Sequence, residues 1–401
     1  MDLVLSCYLN VGGLSRAAQE FFKCLGGMGF RTVVMSVGLP STELMDPALA
    51  SEMSAAMSRQ AAPGFIQLHV GIPESIFYAH DRRALLASTV VEGNFLTREQ
   101  ASACLSADAI LVPSRFCHDV MASSGFPRGK LFLVPYPLDV SIWNPSVAPS
   151  MGPGDRFRFL YMNTWYERKG YDVLLRAWWE EFSAGDPVEL VIKSYQEDTR
   201  TRPIEASLAM LALRWRVNRG RRAPIRVMDQ AMGDRQVPGF MRSFDALVSP
   251  HRAEGFGMNV WYALALGVPV ICTSYSGTTD FATGETSWPV KVGSMSRPGA
   301  EEVSIFPQLK DVRWAEPDVA DLRRQMRACL ENRAERTLRA RAGVSLVTRE
   351  YSQDVVMGRL REAMDKAAPG SWAMLSEGTK RLDVDPPRFS SEDEPVEMIE
   401  V

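Results

Sequence analysis

The stretch HRAEGFGMNVWYALALGVPVI, residues 251–271, sets a glutamate directly before a Gly-Phe-Gly turn, followed by apolar residues at helical spacing. ALVSP (246–250) precedes it, and its end runs into VPVICTS (268–274). Strand, glycine turn, helix, strand is the plan of one unit of a parallel sheet. The Glu254-Gly255-Phe256-Gly257 turn then stands at the carboxyl end of a parallel strand, where open α/β sheets bind ligands. Gly255 and Gly257 let the backbone approach a ligand without a Cβ in between. The amides of Gly257, Met258 and Asn259 point from a positive helix end toward a phosphate. A carboxylate repels phosphate, so Glu254 is expected to accept a hydrogen bond from a neutral hydroxyl. Phosphate plus hydroxyls suggests a nucleotide sugar. The bland alternative is a glycine loop in which Glu254 or Asn259 only caps the helix.

The same alternation extends outward. LVLSCYL (3–9), a glycine turn at Gly12-Gly13, a helix ending at Gly26-Gly27 and RTVVMSVG (31–38) form an opening βαβ unit. FIQLHVG, ALLASTVVE, AILVPS and LFLVPYP continue as strands, with SRFCHDVMASSGF helical between the last two. SIWNPSVAPSMGPGDR (141–156) is rich in proline and glycine and marks a boundary. Alternation then restarts with FRFLYMN (157–163), through GYDVLLRAWWEEF, VELVIKS, a long basic helical stretch (203–222), IRVMD and VPGFMRSF to the quoted motif. After SWPVKV the chain turns irregular, then helical at about 316–331, 334–347 and 352–367. The expectation is an α/β protein of two doubly wound domains, 1–145 and 155–348. A last helix spans 350–368, and the acidic, proline-containing 369–401 is expected to be disordered.

Composition excludes several classes. Of 401 residues 46% are hydrophobic and 23% charged, which excludes wholesale disorder, and a net charge of −3 gives no global basic field for nucleic acid. The six cysteines (7, 24, 104, 117, 272, 329) show neither Cys-x-x-Cys nor zinc-like spacing to histidine. They read as buried thiols of a reducing compartment. The amino terminus lacks a basic segment and no apolar run reaches membrane-spanning length, so a cytoplasmic protein is expected.

A second chemical signal is NTWYERKGYDVLLRAWWEEF (163–182), where Arg168 and Lys169 stand between strand and helix. Two adjacent cations there can neutralise a diphosphate, or can be a solvated basic turn.

Together, ERKGYDVLLRAW, the segment 245–281 and ADAILVPSRFCHDVMASSGFPRGKLFLVPYPLDVSIWNP (107–145) resemble the GT-B glycosyltransferases of family 4. The resemblance runs in order over residues 1–300. It implies two Rossmann-like domains facing a central cleft, the final helix crossing back onto the first. It further implies a retaining, metal-independent transfer from a UDP- or GDP-sugar, with no other cofactor. Residue by residue, Lys169 matches the lysine on the donor diphosphate, with Arg168 as helper. Thr164 stands where the family often has an arginine. Glu254 matches the first glutamate of Glu-x7-Glu, on the transferred sugar, while Tyr262 replaces the second, which holds the ribose. A phenol offers one oxygen where a carboxylate offers two. An altered ribose contact, another nucleotide or pose, and lost donor binding remain three readings. Gly257, Met258 and Asn259 match the phosphate segment, and Gly12 and Gly13 the glycine turn of the first domain. Lys193, Ser194, Met228 and Asp229 are nominated for the nucleobase, Ser276, Gly277 and Thr278 for the sugar pocket, and His251 for its border. His69 and Glu92 are candidates on the sugar or acceptor side, each equally readable as a satisfied loop residue, and His118 reads as structural.

The acceptor is open among a small molecule, a glycan, a lipid-linked sugar, a protein and a modified nucleic-acid base; the oligomeric state is open too. A nucleotide-sugar epimerase and a silent nucleotide-sugar binding protein are the competing functions on this architecture.

Overall fold

The computed structural model describes residues 1–10, 12–194 and 203–369, and the backbone of 399–400. It divides into two compact units: 1–141 with 233–235 and 348–388, and 142–232 with 236–347 and 389–401.

In the first unit, the strands are β1 (Asp2–Cys7), β2 (Arg31–Ser36), β3 (Phe65–Val70), β4 (Arg82–Ser88), β5 (Ala109–Val112) and β6 (Leu131–Leu133). They lie in the order β2-β1-β3-β4-β5-β6, and every neighbouring pair is parallel. The strands are buried on both faces, as a sheet covered by helices on each side must be. The order reverses direction between β1 and β3, so this gap is the unit's topological switch point. The helix Gln353–Ala367 belongs to this unit and packs against β4 and β5. The Leu138 amide donates to the Tyr351 carbonyl at 2.8 Å just before it.

The second unit has β7 (Phe157–Met162), β8 (Val188–Lys193), β9 (Ile225–Met228), β10 (Ala246–Ser249), β11 (Val270–Thr273) and β12 (Trp288–Val290). Their order is β12-β11-β10-β7-β8-β9, again all parallel, with the switch point between β7 and β10. Phe159, Trp178 and Phe182 form an aromatic centre, with Trp178 Nε1 donating to the Ala223 carbonyl at 3.1 Å. Burying that indole without a partner would cost about 1–3 kcal/mol.

Several elements depart from the sequence expectation. The stretch 39–64, to which the sequence assigns no element, holds the helix Pro47–Met57, whose cap Asp46 accepts from the Ala48 and Leu49 amides at 2.9 and 3.2 Å. The basic stretch 203–222 is not one helix: it stops at Arg214, and Arg216 takes a left-handed φ of 52°. The region after SWPVKV contains an antiparallel ribbon, β13 (Val292–Ser296) on β14 (Trp314–Pro317). Within the tail expected to be disordered, the backbone of β15 (Ile399–Glu400) pairs antiparallel with β9. The rest of that tail, 370–398 and Val401, lies outside the described residues. No helix among the described residues is long and apolar enough to cross a membrane, and the six cysteines are buried and form no disulfide.

Candidate active site

The chain leaves β7 at Asn163 and β10 at Pro250, and the two connections meet at the switch point. Gly170 ends the first connection with a φ of 73°, and a Cβ there would lie 1.9 Å from the Pro250 carbonyl oxygen. Only glycine allows this crossing. The Arg252 amide donates to the Arg168 carbonyl at 2.7 Å, and Arg168 Nη1 returns a bond to the Ala253 carbonyl at 2.8 Å. Tyr161 on β7 donates its hydroxyl to the Lys169 carbonyl at 3.3 Å.

This lacing brings three charges together. Lys169 Nζ lies 2.5 Å from Glu254 Oε1, and Arg168 Nη1 lies 3.6 Å from Glu254 Oε2. Glu254 and Arg168 are each 7% exposed. Burial by itself raises the Glu254 carboxyl, but the ammonium of Lys169 and the guanidinium of Arg168 outweigh it and hold the group well below the ordinary carboxylate range. Glu254 is therefore an anion locked on two cations at neutral pH.

The glycine turn beyond Glu254 is closed from behind by 275–278. The Gly277 amide donates to the Glu254 carbonyl at 2.8 Å, and Ser276 Oγ accepts from the Glu254 amide at 2.9 Å. A Cβ on Gly277 would lie 2.2 Å from the Gly255 carbonyl oxygen, and one on Gly257 (φ 90°) would lie 2.3 Å from Thr278 Cγ2. The helix Met258–Ala265 begins at Gly257 with no side-chain cap, so its first-turn amides keep their polarity for an outside acceptor. Asn259 is anchored differently, its Nδ2 donating to the Met162 carbonyl at 2.5 Å. That bond ties the helix entrance to the end of β7.

Arg252, unmarked by the sequence argument, is the mechanical centre. Its guanidinium is paired with Asp172 (2.8 and 2.8 Å) and with Glu316 of β14 (2.8 and 2.7 Å), and donates to the Glu167 carbonyl at 2.5 Å. At 3% exposure it fastens the stretch 167–172 and β14 to its own segment. Glu302 adds a further tie, accepting from the Glu167 amide at 2.9 Å, and burial raises its carboxyl. A guanidinium that lies in the motif itself was the available signal.

Other nominated residues sort by depth. His251 is fully buried, with Nδ1 3.0 Å from the Ser249 carbonyl and Nε2 3.1 Å from Thr278 Oγ1, and burial lowers its pKa. It braces the floor behind Glu254. Phe256 is 3% exposed and edge-on to Trp261 and Phe281, so its ring is core while its backbone forms the turn. Lys193 Nζ donates to the Gln230 carbonyl, and the Ser194 amide donates to the Met228 carbonyl at 3.1 Å. Met228 is buried; Asp229 and Thr164 are exposed. Asn163, buried at 8% exposure beside Lys193, has an Nδ2 with no hydrogen-bond partner among the described residues, a donor with no local sequence signal.

Tyr262 lies deep in the core at 1% exposure, its ring stacked on Trp143 at 3.6 Å and 11°. Its helix position follows Glu254, yet its ring is spent on packing with the connecting segment.

The first unit has its own cluster at its switch point. His69, at the end of β3, has Nδ1 3.1 Å from Ser6 Oγ of β1 and Nε2 3.1 Å from Ser75 Oγ. Burial pushes its pKa down to about 4, so the ring is neutral. Gly12 donates its amide to Asn10 Oδ1 at 2.9 Å and precedes the exposed Gly13. Glu92 is half-buried after β4, and His118 pairs with its neighbour Asp119 at 3.0 Å on a helix.

Residues 156–303 match the family model described as glycosyl transferases group 1. The matched residues run from the start of β7 past β13, almost all within the second unit. Within the chain, 48 residues are 40% identical to the lipopolysaccharide core biosynthesis mannosyltransferase LpsB of Rhizobium meliloti (strain 1021), covering 12% of this chain and 14% of that relative. Among solved structures, HepE of Anabaena in complex with UDP-glucose is similar over 91% of this chain and 100% of its own, with a TM-score of 0.62 at 11% identity. Sucrose-phosphate synthase of Thermosynechococcus elongatus is similar over 92% and 100%, with a TM-score of 0.64 at 14% identity. The two parallel Rossmann-like sheets are those of the GT-B fold, and the Lys169–Glu254 contact lies inside the residues that match the family model.

Proposed function

We propose that the chain transfers a sugar from a UDP- or GDP-sugar to an acceptor, with retention of configuration at the anomeric carbon. The observation that carries this reading is the convergence of Lys169 and Arg168 on Glu254 at an uncapped helix entrance. A nucleotide-sugar donor presents a diphosphate and a hydroxyl-rich ring side by side. The cations and first-turn amides suit the former, and the Glu254 carboxylate suits the latter.

In this reading, the diphosphate takes the spare donors of Lys169 and Arg168, and Glu254 accepts from a sugar hydroxyl. The bond from the anomeric carbon to the diphosphate breaks as negative charge grows on the leaving oxygen, where the cations stabilise it. The acceptor oxygen bonds to the same face of the anomeric carbon, and its proton passes to the departing diphosphate. Neutralisation falls to Lys169 and Arg168, so the proposal includes no metal. Asn163, with its unused Nδ2 next to Thr164, is placed to add one neutral donor near the missing arginine.

The test is a panel of UDP- and GDP-sugars, read by thermal shift and by nucleotide release, with chelator present. One donor should raise the unfolding temperature and release nucleotide slowly by hydrolysis, and the product formed with an added acceptor should keep the anomeric configuration by NMR. Interconversion of nucleotide sugars would favour an epimerase. A thermal shift without release would favour the silent binder, the reading that Tyr262 supports by being committed to Trp143.

A further inference from the structure

The turn Glu167–Lys169, which carries both cations of the site, is fastened to the segment between β13 and β14. The fastening is reciprocal. Glu302, on the helix Ala300–Ile305, accepts from the Glu167 amide at 2.9 Å through Oε2. Glu167 answers with its own side chain, Oε2 accepting from the Gly299 amide at 2.8 Å where that helix begins. Tyr166 and Phe306 add an edge-on ring contact at 5.0 Å.

The bonds of the turn divide by type. Its carbonyls are taken by Arg252, through the guanidinium at Glu167 and the backbone amide at Arg168, and by the Tyr161 hydroxyl at Lys169. Its leading amides, those of Glu167 and Arg168, fall to the Glu302 carboxyl. Glu302 is 2% exposed, and its Oε1 has no hydrogen-bond partner among the described residues. Burial raises the carboxyl, while the guanidinium and the amide of Arg168 both favour its charged form. A buried carboxyl with one idle oxygen is a poor way to fill space, and an apolar side chain would do so without the desolvation cost. An apolar side chain would not accept from the turn that presents Arg168 and Lys169. Two cations stabilise a departing diphosphate only where they stay fixed while the charge grows.

We propose that Glu302 is a positioning residue for the transfer: by accepting from the leading amides of the turn, it keeps Arg168 and Lys169 aimed at the diphosphate. The inference rests on the sugar-transfer reading and gives Glu302 no contact with substrate.

The test is a set of replacements assayed with the donor that the panel selects, reading kcat and KM for nucleotide release, and stability by urea unfolding. Glu302→Gln keeps an acceptor at the same reach without the charge, and Glu302→Asp keeps the charge one methylene short. Glu302→Gln should hold kcat within about twofold of wild type. Glu302→Ala and Glu302→Asp should each lower kcat about tenfold with KM changed less than about threefold. A displaced cation still attracts a diphosphate but no longer meets the charge that develops on it. Variants that lose stability while the folded protein keeps its kcat would make Glu302 structural only and overturn the proposal. Glu302→Asp matching wild type while Glu302→Gln matches Glu302→Ala would make charge, not reach, the operative property, and would overturn it too. Calorimetry of the wild-type chain with UDP and GDP separates the two levels. A chain that binds neither and releases no nucleotide loses the sugar-transfer reading and this proposal together. A chain that binds and turns over a donor, with all the variants equal to it, refutes the role of Glu302 alone.

Discussion

Lys169 and Glu254 are 85 positions apart in the chain and meet at 2.5 Å, because β7 and β10 are neighbours whose connections leave in opposite directions. The pair is made by topology: sequence neighbours of either residue could not supply it. In a water-poor site such a contact holds both side chains in place before any ligand arrives.

Separating the two roles is the first prediction. Lys169→Ala should cut kcat/KM for nucleotide release at least about tenfold, through lost stabilisation of the leaving group. Glu254→Gln should cut transfer by a similar factor while the free nucleoside diphosphate binds more tightly, because the two cations lose their internal anion. Calorimetry with UDP or GDP checks it; weaker binding to Glu254→Gln would contradict the assigned roles.

Gly170 supplies a geometric test. Alanine there would drive a methyl group into the Pro250 carbonyl and requires a left-handed φ of an L-residue. Gly170→Ala should lose several-fold donor affinity and unfold at lower denaturant, by about 1–3 kcal/mol or more. Urea titration measures the second and thermal shift with donor the first.

A glutamate at position 262 should not add a nucleotide contact. Tyr262→Glu would place a carboxylate at a 1% exposed position against the Trp143 ring. The expected result is a sharply lowered unfolding temperature and no gain in nucleotide affinity. Tyr262→Phe keeps the stack and should stay within about 1.5 kcal/mol of wild type. A Tyr262→Glu protein that is stable and binds donor more tightly would show that the position faces ligand.

His69 predicts a pH dependence with a defined sign. The unfolded chain takes up a proton near pH 6.5 that the native imidazole refuses until about pH 4. Stability from this residue is therefore complete above pH 6.5 and is lost as pH falls toward 4, about 3 kcal/mol in all. The stability difference between wild type and His69→Gln, measured by urea unfolding at pH 7.5 and pH 4.5, should shrink by about three quarters of that amount. A difference independent of pH would show that the native imidazole takes up its proton as readily as the unfolded one.

Much of this was legible in the sequence because local and global signals agree there. The strands of both sheets are apolar runs bounded by turns, and the turn at 254–257 reads as the carboxyl end of a parallel strand. What escaped was written in capping chemistry. Asp46-Pro47 opens a helix, and Thr97 with Gln100 forms a reciprocal cap on Arg98–Leu105, with the Gln100 amide donating to Thr97 Oγ1 at 3.2 Å. Other features have no local signature. Arg252 is paired with Asp172 and Glu316 from distant segments, and the burial of Tyr262 depends on Trp143 in a linker that reads as a mere boundary.

The knot at Arg252 makes the ligand site and the β13–β14 ribbon one rigid piece. Ala315 donates its amide to the Arg252 carbonyl at 3.0 Å, directly beside the fully buried Trp314. Through Arg252, the connection that carries Lys169 and the strand that carries this indole share one set of charged bonds.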